Sequence, residues 1–321
     1  MKATKLAVAG SVLLLALACV GPAKADHTGR ENAHPARPGS VNYVEGTASI
    51  DGEALEPESV GSVEMQEGQV LTTEAGKVEL LLTPGVFLRV GDNSSVKMLS
   101  PELANTTVHL DKGEAFVEVL EIRKENNIRV NENDVSVKLL NKGLYNFDAD
   151  RNEVRVFKGK AEVYTGARKI TVSEKYEVAL ASGKKLSATY FDSRQYTDDL
   201  YRWSGLRAGY LSEASVDAAR IYVGVGSAWY APGWYGPGWY WDPWFMAYTF
   251  LPAEGVFYSP FGWGFYSPIF VYNTPFFYWG YYHYPHAFPD FHEPYGHGFE
   301  PPGGFHGAVS PRMGVPPGRV R

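Results

Sequence analysis

Between Val41 and about Tyr190 the chain reads almost continuously as β-strand. Apolar residues fall at every second position in runs of about five, and turn residues recur roughly every 8–12 positions. "GKVELLLTPGVFLRVGDNSSVKM" (76–98) holds two apolar runs split by Pro84-Gly85, followed by a Gly91-Asp92-Asn93 turn. "TVHLDKGEAFVEVLEI" (107–122) alternates around Lys112-Gly113, and the pattern resumes over 133–180. No helical period runs through this block. Short strands at such spacing imply a sandwich, roll or solenoid rather than a parallel α/β sheet.

The block contains an echo. Gly46-Thr47-Ala48-Ser49-Ile50, Gly113-Glu114-Ala115-Phe116-Val117 and Gly159-Lys160-Ala161-Glu162-Val163 share G-x-A-x-[IV]. Glycine marks a tight turn, alanine packs closely behind it, and the aliphatic residue two positions on faces the same side. The separations are unequal, so the pattern predicts a repeated hairpin plan rather than a regular solenoid.

"VNYVEGTASIDGEAL", "EGQVLTTEAGKVELLL", "FLRVGDNSSVKM", "VHLDKGEAFVEV" and "NEVRVFKGKAEV" together resemble successive strands of the FecR-like domain, over about residues 41–180. That domain takes its name from a periplasmic regulator of ferric citrate uptake. The resemblance implies an all-β envelope domain that makes protein contacts. It implies neither catalysis nor iron binding. Classical members are anti-sigma regulators with a cytoplasmic segment before one membrane helix. Here five residues precede the first apolar run, so no cytoplasmic sigma factor is expected as a partner. "NKGLYNF" (141–147) also departs from the family's usual Gly-Thr pair.

That first run reads as a secretory signal peptide over residues 1–25. Lys2 and Lys5 precede the apolar stretch Leu6–Val20, and Ala23-Lys24-Ala25 forms a cleavage site before Asp26. The expected address is export, periplasmic or envelope-associated. The single cysteine, Cys19, falls inside the peptide, so a mature chain would have neither disulfides nor a catalytic thiol. The alternative is lipidation at Cys19, where Ala16 stands in place of the usual leucine. Residues 26–40 read as a flexible leader, rich in polar residues and proline.

Beyond the β domain (41–190), residues 191–220 carry helical spacing. Tyr196, Leu200, Trp203, Arg207, Tyr210 and Ala214 fall on one face, and Asp192 with Gln195 suggests a capping box. Gly205 and Gly209 each weaken a helix by about 1 kcal/mol relative to alanine. From Ile221 to Pro289 there is no Lys or Arg, and aromatic residues crowd together. Trp229-Tyr230, Trp234-Tyr235, Trp239-Tyr240 and Trp244-Phe245 recur with a period of five, which fits neither helix nor strand. Residues 290–321 read as a disordered Pro/Gly/His-rich tail. The expected fold is mainly β: a FecR-like antiparallel β roll or sandwich, then an amphipathic helix and a low-complexity aromatic Pro/Gly-rich tail.

Chemistry-bearing motifs are sparse. Ser94-Ser95-Val96-Lys97 and Ser182-Gly183-Lys184-Lys185 match S-x-x-K, but in β or turn texture the lysine is not one helical turn from the serine. Asp148-Ala149-Asp150-Arg151-Asn152 starts like a calcium loop but lacks Gly at position six and Glu at position twelve, and reads as a β-turn. His283, His286, His292, His297 and His306 lack metal-site spacing. No catalytic residue, metal or cofactor is expected, and a formal net charge of -6 gives no reason to expect nucleic acid. The chain reads as a non-enzymatic scaffold or sensor with an envelope protein partner.

The candidate binding residues are Trp229, Tyr230, Trp234, Tyr235, Trp239, Tyr240, Trp241 and Trp244. Proline at 232, 237 and 243 excludes a membrane-spanning helix here. Protein contact or self-packing suits Tyr and Trp, which offer large contact area. A row of rings could alternatively stack on a glycan such as peptidoglycan or exopolysaccharide, and interfacial lipid contact is a third option.

Overall fold

The computed structural model of the chain describes residues 35–123, 125–180, 186–223 and 236–274. Strand β1 (Val41–Ile50) turns at Asp51-Gly52 into the short β2 (Glu53–Ala54) and pairs along its length with β3 (Val70–Leu81). On the other side of β3, β4 (Val86–Val90) pairs with its C-terminal half and β5 (Ser95–Glu102) with its N-terminal half. β1 and β3 thus bridge two half-sheets.

The chain then alternates between the halves. β5 forms a hairpin with β6 (Asn105–Lys112), and β7 (Glu114–Val119) crosses to pair with β4. β8 (Arg129–Glu132) returns alongside β6 and turns into β9 (Val135–Leu139). β10 (Gly143–Asp148) crosses to β7 and turns into β11 (Glu153–Lys158). β12 (Lys160–Thr165) crosses back to β9 and turns into β13 (Arg168–Ser173). β14 (Tyr176–Ala179) pairs with β11, and β15 (Ala188–Tyr190) follows at that edge. The β6–β8 pair is parallel in an otherwise antiparallel sheet, because the long 120–128 connection brings β8 in from the opposite end.

The two halves close over one core. Leu88, Val117, Phe147 and Val156 from one side pack in the same cluster as Met98, Val108, Val137 and Val163 from the other. Burying each such side chain stabilises by about 1.5–3 kcal/mol. The G-x-A echo marks the corners where the chain changes half. Gly46, Gly113 and Gly159 have φ of 70°, 77° and 101°, and Ala48, Ala115 and Ala161 behind them are buried. At Gly113 a Cβ would lie 2.7 Å from Ser94 Cα, so both the left-handed backbone and the close approach require glycine.

One half-sheet is buried on both faces. Every residue of β4 and β10 is buried, and so is all of β7 except Glu114. The outward side chains there include Leu81, Phe87, Phe116, Leu120, Leu144 and Phe157. They are covered by helix α1 (Asp199–Val223) and by the aromatic region, which forms two hairpins and a short helix. The hairpins are β16 (Gly238–Asp242) with β17 (Ala247–Leu251) and β18 (Val256–Tyr258) with β19 (Gly264–Tyr266). The short helix is α2 (Pro268–Asn273), capped by Ser267 Oγ, which accepts from Phe270 N–H at 3.1 Å.

Two local expectations change. Asp192 caps a short 3-10 turn, Ser193–Tyr196, and α1 begins only at Asp199; Asp198 Oδ1 accepts from Tyr201 N–H at 2.8 Å. Over 238–242 the operative period is two rather than five: Trp239 and Trp241 share one strand face, and Tyr240 and Asp242 the other. Among the described residues, no helix is long and apolar enough to cross a membrane.

Candidate functional site

Helix α1 and the two hairpins form a cap on the outer face of the β domain, joined to it by a buried polar network. Glu79, Arg89 and Glu118 point outward from β3, β4 and β7, in the middle of apolar runs, and all three are fully buried. Arg89 Nε lies 2.8 Å from Glu79 and its Nη1 2.6 Å from Glu118. Arg207 of α1 adds a second guanidinium, 3.0 Å from Glu79, and lies 4.0 Å over the Tyr43 ring. The Asn42 side-chain amide donates to Glu79 at 2.9 Å and to the Tyr248 carbonyl of β17 at 3.0 Å, and its Oδ1 accepts from the Tyr248 N–H at 2.7 Å. Ser259, beyond β18, donates a short hydrogen bond to Glu118.

Two arginines thus face two glutamates, and the group is neutral as a whole. Burial pushes the Glu79 carboxyl up, but Arg207 and Arg89 outweigh it and hold the group below the usual carboxylate range. A buried charge without its partner is costly, so this network ties α1 and both hairpins to the sheet.

Aromatic packing completes the cap. The Trp263 ring lies across α1 where Gly209 leaves room: a Cβ there would be 3.1 Å from the ring, and the indole donates to the Gly205 carbonyl at 3.0 Å. Phe261 approaches Gly205 in the same way, at 3.3 Å. The two glycines that weaken the helix are therefore the seats of the cap. Trp203 donates from its indole to Glu45 at 2.8 Å.

The structure treats the candidate binding residues unequally. Trp229, Tyr230, Trp234 and Tyr235 lie outside the described residues. Trp239 packs edge-on to Phe87, with centroids 4.8 Å apart. Trp241 lies against Gly61, where a Cβ would meet the ring at 2.7 Å. Tyr240 is buried, and its hydroxyl donates to the Gly236 carbonyl at 2.6 Å. These three rings hold the cap in place. Trp244 differs: it is 83% exposed, at the tip of the β16–β17 hairpin, beside Met246 at 59%.

That tip is fixed rather than loose. Asp242, itself buried, accepts from the Trp244 and Phe245 N–H groups at 2.8 and 3.1 Å. Met246 closes the turn at φ 47°, unusual for a residue with a side chain. The cap thus presents one large apolar ring on a rigid turn.

Sequence reasoning placed Arg207 on the helix face but gave it no partner, and overlooked Asn42, Glu79, Arg89, Glu118 and Ser259. For Glu79, Arg89 and Glu118 the signal was a lone charge inside each apolar run, in "VELLL", "FLRV" and "VEVL". Among the described residues no cluster of acidic, His or Cys side chains could hold a metal ion, and the C-terminal histidines lie outside them. Ser94 of the S-x-x-K match is buried in the corner, its Oγ accepting from the Glu114 N–H at 3.0 Å.

Residues 68–162, from the turn before β3 into β12, match the family model described as FecR protein. The chain carries a FecR-like domain. Two crystal structures of a candidate anti-sigma factor from Parabacteroides distasonis are also similar, at 17% and 16% identity and a TM-score of 0.34 each. Each match covers 39% of this chain and 61% of that one, less than two thirds of its length. No curated protein matches the chain.

Proposed function

We propose that this is an exported, non-enzymatic envelope protein whose FecR-like domain and aromatic cap form a protein-interaction scaffold or sensor. The observation that carries the reading is Trp244, exposed beside Met246 on a turn pinned by a buried aspartate. The other described tryptophans take part in the packing of the cap, whereas this ring contributes little to it. Exposed Trp on a rigid support is the residue type that dominates protein interfaces when buried by a partner. The FecR-like domain supports the same reading, and the signal-peptide pattern of residues 1–25 supports the envelope address. The non-enzymatic reading rests on the lack of a catalytic constellation in the sequence.

The test is a photo-crosslinking amino acid at Met246, activated in intact cells. Discrete protein adducts are expected, reduced about tenfold or more by Trp244→Ala, as for a hot-spot residue. Adducts to glycan or lipid alone, or none above a buried control position such as Phe250, would overturn the reading. Glycan adducts would instead favour the sugar-stacking alternative.

A further inference from the structure

The cap covers one half-sheet; the outer face of the other is polar and basic. On β8, β9, β12 and β13 the inward side chains, among them Val130, Val137, Val163 and Val172, fill the core. The alternate side chains face outward. Four of these are the cations Arg129, Lys138, Lys160 and Lys169, against one carboxylate, Glu162. Lys169 pairs with Glu162 at 2.8 Å, and Arg129 and Lys169 flank the Tyr164 ring at 5.1 and 5.9 Å. Arg168 adds an exposed guanidinium at the start of β13.

The other end of the same half-sheet has the opposite sign. There β5 pairs with β3, β3 with β1, and β2 closes the edge. From Val41 to Gly76 the chain holds eight carboxylates and no Lys, Arg or His. Glu53, Glu56, Glu58, Glu67 and Glu74 are exposed among them. Among the described residues, none of these eight carboxylates and none of Lys138, Lys160 and Arg168 forms an ion pair.

Both ends are also open. β13 pairs only with β12 and β2 only with β1, so each presents an edge with no neighbouring strand. Such edges are templates for another chain, and their charges decide which one. Two β13 edges brought together would set Arg168 and Lys169 against more cations. Two β2 edges would set Glu53 against more carboxylates. Like charges across a contact reject the pairing. The β13 edge and the β1–β2 edge complement each other.

We infer that a second copy of this chain binds here head to tail, the basic β12–β13 edge of one copy against the acidic β1–β2 edge of the next. Charge complementarity selects the partner and fixes the register. The contact joins two different surfaces, so each added copy leaves one edge of each sign open for another. It goes beyond the scaffold reading and is independent of the Trp244 tip.

Sedimentation velocity of the full chain over a range of concentrations tests it. At about 10 mM salt, where charges act over about 30 Å, the weight-average sedimentation coefficient should climb with concentration; at about 1 M, where they act over about 3 Å, it should not. Lys160→Glu with Arg168→Glu makes a chain acidic at both edges, and Glu53→Lys with Glu58→Lys one basic at both. Each alone should associate at least about tenfold more weakly than wild type. An equimolar mixture of the two should associate again, because each supplies the edge the other lacks. Trp244→Ala should behave as wild type. A wild type that stays monomeric at low salt, undiminished association in either double variant, a mixture that stays monomeric, or loss of association in Trp244→Ala would overturn the inference. So would a monomeric wild type that binds polyglutamate through Lys160 and Arg168, which would assign the basic face to a different acidic protein.

Discussion

At the residue scale, Glu132 stands apart. It ends β8 on the face of Val130, is fully buried, and neither carboxyl oxygen has a hydrogen-bond partner among the described residues. Burial, then the charges of Asp148 and Glu153, push its carboxyl up to about 8. An unfolded glutamate titrates near 4.3, so between these values the folded state binds more protons than the unfolded one. Stability should therefore fall as pH rises from about 4.3 to about 8, by up to about 1.4 kcal/mol per unit from this group, and level off above. Urea unfolding at pH 5 and 8.5 measures it, and Glu132→Gln should show the smaller difference. The corner glycines make a second prediction. Gly113→Ala combines φ 77° with a clash against Ser94 and should destabilise by more than about 1 kcal/mol in the same assay. These corners were legible in sequence, because a glycine followed by a small and then an aliphatic residue is a local pattern. Glu132 was not, since its burial depends on a half-sheet formed by residues far along the chain.

At the element scale, α1 and the hairpins depend on the sheet beneath them. Arg207→Ala would leave Glu79 buried with one cation fewer and remove the ring contact with Tyr43. It should cost about 3–5 kcal/mol in chemical denaturation. Gly209→Ala should fail to yield the gain of about 1 kcal/mol expected of such a change in an exposed helix, because the methyl meets the Trp263 ring. The existence of α1 was readable from the spacing of Leu200, Trp203 and Arg207. Its start was not, because Asp192 and Asp198 are both plausible caps and only the seat of Leu200 on Gly91 selects the second. The hairpins were hidden by the repeat of tryptophan every five residues. That spacing reflects Pro/Gly punctuation, whereas Trp239 and Trp241 obey the strand period of two as they pack toward the sheet. The apolar runs "VELLL" and "VFLRV" did carry the matching signal, since a strand covered on both faces is apolar nearly throughout.

At the scale of the whole molecule, the aromatic region over 236–274 is the second layer of the FecR-like domain, held by a charge network that spans β1, β3, β4, β7, α1 and β17. The β domain and its cap should then unfold together. The distribution of tryptophan makes this directly measurable, because all eight lie at position 203 or beyond and none in the β domain. Tryptophan fluorescence reports on the cap side, while far-UV circular dichroism is dominated by the strands. Urea unfolding of the full chain should be followed by both signals on the same samples. Coincident transitions with one midpoint are predicted, as for a single cooperative unit. A tryptophan transition completed at lower urea while the β signal persists would contradict the account, because the aromatic region would then be an appendage rather than part of the fold.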